Sequence, residues 1–171
     1  MDIKSESKKL ISAFDHMVEN VSQAIHEAEA ALKPTIDEMV LNAQSLARDL
    51  HQLSQEEAER LGKALKRDIQ NANKTLNQQG KELKDWLSFD LTLVEDKFID
   101  LIAHAADKTW LDFRSFENEN KQAEIYRTGE VCSSGTLCCK SCAQTMKLSR
   151  TSHIPPCPRC HHTEFYRVFS K

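Results

Sequence analysis

The chain has no cysteine in its first 120 residues and only four glycines and four prolines among 171 positions. It also has no apolar run approaching the roughly 18 to 20 residues that span a bilayer. Each absence excludes something. Three of the prolines (Pro155, Pro156 and Pro158) crowd into one C-terminal stretch, so the remainder is nearly free of helix breakers. The N-terminus, MDIKSESKKL, is polar and lacks the apolar core of a signal peptide. A reducing, cytoplasmic location with no membrane partner is therefore expected. There is no Gly-rich phosphate loop, no HExxH or Glu-x-x-His pair, and no arguable Ser-His-Asp order. No catalytic constellation emerges, and the expected protein is not an enzyme.

What is present is mostly helical pattern. Ile11, Phe14, Val18, Val21, Ile25, Ala28 and Leu32 alternate at spacings of three and four, with Leu10, Met17, Ala24 and Ala31 widening the stripe. After Pro34 the stripe resumes in a shifted register at Ile36, Met39, Ala43, Leu46, Leu50 and Leu53. Proline either kinks a helix or precedes a new one, and Thr35 with Glu38 offers a capping box for the second outcome. Ser54 and Glu57 repeat that signal before a segment carrying Leu61, Leu65, Ile69, Ala72, Leu76, Gly80, Leu83 and Leu87 in an eleven-residue pattern. A last helical stretch, roughly 90 to 120, places Val94, Phe98, Leu101, Ile102 and Ala105 on one side and carries Trp110, Phe113 and Phe116. Charged runs such as QEEAER and GKALKR read as solvated helix faces. His16, His26, His51 and His104 read as isolated surface or packing residues.

The charge is divided. Residues 124–171 carry seven Lys or Arg against three Glu, a net of +4, which leaves residues 1–123 with 16 basic and 23 acidic side chains, a net of −7. The basic tail also holds all six cysteines. Cys139-x2-Cys142 and Cys157-x2-Cys160 are two knuckle pairs separated by 14 residues. Each pair can turn two thiolates toward one ion, and two pairs complete a tetrahedron. This spacing predicts one structural Zn(II) per chain, held by Cys139, Cys142, Cys157 and Cys160, with no position left for a catalytic water. Met146 and Leu148 suggest one strand, and Glu164 to Phe169 another, so the tail is expected to be a zinc ribbon too small to fold without its metal. A redox reading of Cys157-Pro-Arg-Cys160 needs a strand-to-helix context and leaves Cys139 and Cys142 unexplained. Cys132 and Cys138 read as bystander thiols. His161 follows a knuckle where a left-handed turn is expected.

Read in order, LSQEEAERLGKALKRDI, AADKTWLDFR (105–114), YRTGEV (126–131) and the two CxxC pairs resemble the YbeL-like zinc-ribbon-containing bacterial proteins. The resemblance covers roughly residues 45–171; the first 40 or so match in helical character alone. It implies an acidic helical region followed by a C-terminal ribbon, with ligands at the same four cysteines, and it implies no activity. Cys138, where the family tends to have an aliphatic residue, and His161, where it usually has glycine, depart from the pattern without removing a ligand.

The expected fold is mainly α: long amphipathic helices in a bundle or coiled coil over residues 1–123, and a small β zinc ribbon over residues 124–171. Two functions compete. One is a protein-interaction or adaptor module, with a protein partner or self-association through the helical stripe. The other is nucleic-acid binding through the basic ribbon, with Tyr126, Phe165, Tyr166 and Phe169 available for stacking. Four thiolates and one Zn(II) together add −2, which lowers the tail's +4 to about +2 and disfavours the second.

Overall fold

Three of the amphipathic stretches form helices, α1 (Ile3–Glu27), α2 (Ile36–His51) and α3 (Gln55–Gln79), in the computed structural model, which describes residues 3–28, 35–79, 98, 101, 102, 105 and 125–168. Both expected capping boxes form. The Thr35 hydroxyl accepts from the Glu38 amide at 3.2 Å while the Glu38 carboxylate accepts from the Thr35 amide at 2.9 Å. Ser54 and Glu57 make the same exchange at 3.2 and 2.8 Å. A new helix therefore starts after Pro34, a residue that itself lies outside the described set. Helix α2 stops at Gln52, which adopts a left-handed conformation (φ 52°) while the Leu53 amide bonds back to the Arg48 carbonyl at 3.0 Å.

The helices run up, down and up. His16 in the middle of α1 meets His51 at the end of α2, Asp37 at the start of α2 meets Lys66 of α3, and Lys9 meets Glu57 at the start of α3. One core joins all three: Phe14, Met17, Val21 and Ile25 from α1, Ile36, Val40 and Ala43 from α2, and Leu61, Leu65 and Ile69 from α3. Phe98, Leu101, Ile102 and Ala105, helical as expected, complete it. Burying a side chain such as Phe14 or Leu65 contributes about 1.5–3 kcal/mol. Gly80, Leu83, Leu87, Val94, His104, Trp110, Phe113 and Phe116 lie outside the described residues.

The α2 stripe needs correction. Its buried face is Ile36, Met39, Val40, Ala43 and Ala47, while Leu46 and Leu50 are 59% and 68% exposed. Two stripes one residue apart share the same period, so spacing alone does not choose between them. Size does: Ala43 and Ala47 let neighbouring helices approach closely, which leucines at the contact would prevent.

The C-terminal part is built from six short strands: β1 (Ile125–Arg127), β2 (Val131–Cys132), β3 (Gly135–Cys139), β4 (Thr145–Leu148), β5 (Ser152–His153) and β6 (Glu164–Val168). Four form an antiparallel sheet in the order β1-β6-β3-β4, and β2 pairs antiparallel with β5. Strands β4 and β6 match the sequence expectation, while the other four were not foreseen. A second core of Tyr126, Cys132, Leu137, Ile154 and Phe165 lies under the sheet, together with the sulfur-bearing Cys139 and Cys157.

Candidate metal centre

The two CxxC turns are built alike. In the first, at the end of β3, the Cys139 amide donates to the Gln144 carbonyl at 2.9 Å and the Ala143 amide to the Cys139 carbonyl at 3.0 Å. In the second, the Cys157 amide donates to the His162 carbonyl at 3.0 Å and the His161 amide to the Cys157 carbonyl at 2.9 Å. The residue after the second cysteine of each turn is left-handed, Ala143 at φ 57° and His161 at φ 58°. The left-handed turn expected at His161 is present, and its counterpart at Ala143 was not anticipated. These turns tilt the four sulfurs inward.

Cys139 Sγ lies 3.5 Å from Cys160 Sγ, Cys142 Sγ lies 3.6 Å from Cys157 Sγ, and all four sulfurs fall within 4.8 Å of one another. Metal–sulfur bonds of about 2.3 Å in a tetrahedron imply sulfur–sulfur edges near 3.8 Å, so the cage has the dimensions of a zinc site. An amide also faces the cage, with Ser141 N 3.4 Å from Cys139 Sγ. Two of the thiols, Cys142 and Cys157, are shifted in opposite directions. Burial opposes the Cys157 thiolate, but amides of Cys160 and Arg159 outweigh it and hold the thiol down at about 6. The Gln144 amide favours the Cys142 thiolate, yet burial and the three neighbouring sulfurs push that thiol up to about 12. Cys157 is the readier of the two to ionise, and its neighbouring sulfurs oppose a second thiolate at Cys142. Among the described residues this is the one group of three or more His, Cys, Asp or Glu side chains gathered closely enough to hold a metal. Four cysteines fill a tetrahedron, so the residues fit a structural Zn(II).

Cys132 and Cys138 stay outside the cage. Cys132 is fully buried on β2, where burial and then nearby Asp68 push its thiol up to about 12. Cys138 alternates with Cys139 along β3 and contacts the Ala143 carbonyl at 3.6 Å.

Sequence reasoning missed the joint between ribbon and helices. Arg67, in the GKALKR run read as a solvated face, is 7% exposed, and Asp68, which follows it, is 0% exposed. The Asp68 carboxylate accepts from the Ser133 amide and hydroxyl, both at 2.7 Å, and lies 3.5 Å from the Arg167 guanidinium. Arg167 also donates to the Tyr126 hydroxyl at 3.1 Å and the Ser134 carbonyl at 2.8 Å. Gly135, at φ 146°, makes room for it, since a Cβ there would lie 2.7 Å from that guanidinium. Arg67 pairs with Glu130 and stacks 3.9 Å from the centre of the Tyr126 ring, while Asn71 donates to the Tyr126 hydroxyl at 2.9 Å. The available signal was a break in amphipathicity: Asp68 sits directly before Ile69 on the face that buries Leu61 and Leu65.

Two other expectations change. His16 and His51, read as isolated, have ring nitrogens 2.7 Å apart, because an antiparallel pair of helices brings together residues 35 positions apart. Of the aromatics proposed for stacking, Tyr126 and Phe165 are fully buried, Tyr166 is 44% exposed, and Phe169 is outside the described residues. Arg167 is likewise committed to the joint, and Lys140 and Arg127 both pair with Glu164.

The chain is similar to known proteins. Over 159 residues the chain is 24% identical to proteins of Escherichia coli K12 and Escherichia coli O157:H7, each named uncharacterized protein YbeL, covering 93% of this chain and 96% of theirs. No solved structure matches it. A family model described as a zinc-ribbon containing domain matches residues 6–169, and with the four-sulfur cage in place the chain belongs to that zinc-ribbon family.

Proposed function

We propose that this chain is a non-enzymatic protein-interaction module or adaptor of the reducing cytoplasm, in which residues 1–123 provide a helical scaffold and residues 124–171 a ribbon held by one structural zinc. The observation that carries this reading is the buried joint around Asp68 and Arg167, which ties the ribbon to α3 and makes one composite surface of two parts. Cys139, Cys142, Cys157 and Cys160 would hold a zinc ion as a crosslink among four thiolates, and with cysteine in all four positions such an ion would keep no open site for chemistry. A structural metal together with a polar joint holds a surface in fixed shape, which suits recognition.

Native mass spectrometry with and without a chelator tests the reading. One zinc per chain, together with a bound protein or a second subunit, is the expected result. A metal-free chain whose CxxC pairs form disulfides would overturn it in favour of thiol redox chemistry, and a zinc-loaded monomer that retains no protein partner would remove the adaptor role.

A further inference from the structure

Between one side of α3, with Leu10 of α1 at its edge, and the β1–β2 turn runs a groove of about 970 Å³. We infer that this groove is a docking site for an acidic polypeptide segment of a partner protein. The inference rests on the adaptor reading and names the surface and the chemistry of the partner.

Charge complementarity selects the occupant. Five cationic side chains, Arg60, Lys63, Lys66, Arg67 and Arg127, line the groove against two carboxylates, Glu57 and Glu130. Both carboxylates are already bound, Glu57 by Lys9 and Glu130 by Arg67. Lys66 and Arg127 are shared with Asp37 and Glu164. Arg60 and Lys63 are exposed and have no carboxylate within ion-pair distance among the described residues. Counting the groove and its ion-pair partners, with Asp68 beside Arg67 included, six cations (with Lys9) stand against five anions, a net of +1 on a molecule whose total is −3. Screening over about 8 Å at physiological salt lets that local excess outweigh the distant acidic surface.

The walls favour polypeptide over nucleic acid. Half-buried Leu10 and Ile125 give the groove apolar contacts, and no Phe, Tyr or Trp is among its described lining residues, so a base finds no stacking platform. So small a positive excess suits a few carboxylates better than a continuous phosphate backbone. Arg60 and Lys63 lie three positions apart on exposed α3 surface, so they stand side by side where a chain of carboxylates can lie, while Arg67 below them is committed to Glu130 and Tyr126.

The test uses the full zinc-loaded chain and fluorescence anisotropy of a short labelled peptide of Glu, Leu and Ala. Binding that weakens with salt is expected. R60E/K63E is expected to weaken it about tenfold, while K147E/R150E, which reverses two exposed charges outside the groove, leaves it unchanged. Both double variants change exposed side chains, and circular dichroism checks that they fold alike. No binding at low salt, or equal loss in both variants, overturns the inference. So does a single-stranded oligonucleotide probe that binds through Arg60 and Lys63 when the peptide does not. Should the peptide fail while native mass spectrometry finds a dimer unaffected by R60E/K63E, this inference falls and the adaptor reading stands. A zinc-loaded monomer that binds no protein or peptide removes both.

Discussion

At the scale of single residues, the two knuckles turn on a conformation that side chains disfavour. Ala143 and His161 hold left-handed backbone one position past the second cysteine of each pair, where a Cβ meets the following carbonyl and glycine does not. Replacing either by glycine is expected to raise the stability of the zinc-loaded protein by up to about 1 kcal/mol, read as a higher urea midpoint at fixed metal. A drop in midpoint would mean that their side chains contribute more than the turn costs. Asp68 is the opposite case, a residue whose charge is indispensable. It is fully buried and faces Arg67 and Arg167, so D68N leaves buried guanidinium charge without its counterion. A loss of about 3–5 kcal/mol is expected in urea unfolding, and a loss below about 1 kcal/mol would show that the joint is not electrostatically held.

At the scale of elements, the contact between α1 and α2 carries a pH dependence. Burial, then His16 and Lys9, lower the His51 pKa below its ordinary 6.5. The folded state therefore prefers His51 neutral, and on acidification the unfolded chain takes up the proton first. Stability from this site is full above the ordinary histidine pKa and is lost as pH falls through it toward the lower folded value. Thermal unfolding followed across that range should show a falling midpoint on acidification, and H51Q should flatten it; an unchanged slope would remove His51 as the cause. The same antiparallel geometry explains why the pair was invisible in sequence, since contact between positions 16 and 51 depends on how two helices cross and not on either helix's period. The register of α2 is a second example: two overlapping stripes of one period were open, and packing against both neighbours selected the one with alanines.

At the scale of the whole molecule, ribbon and bundle meet through a polar joint beside one apolar contact, Val131 of β2 buried in the helical core. Tyr126, Ser133 and Arg167 belong to strands, or to a turn, that also frame the knuckles, while Asn71 and Asp68 belong to α3. A small ribbon draws much of its stability from its metal, so stripping the metal should cost the helices their partner across the joint. Chelation is expected to lower the helical unfolding midpoint measured at 222 nm, about the wavelength that reports helix, and D68N should shrink that shift. Helices whose midpoint ignores the chelator would show the two parts to be energetically independent.

By itself, the sequence determined the helices, two of the six strands and the four cysteines of the cage. Helical period, two capping boxes and two CxxC pairs are local signals, because the partners in a capping box and the thiolates of a knuckle each lie three positions apart. The tertiary structure alone decided the relations between distant segments: which leucines of α2 face water, that His16 meets His51, and that Asp68 buries its charge against Arg167. A charged residue on a helix is read as solvated unless a counter-charge arrives from elsewhere in the chain, and here it arrives from β6, about a hundred positions away.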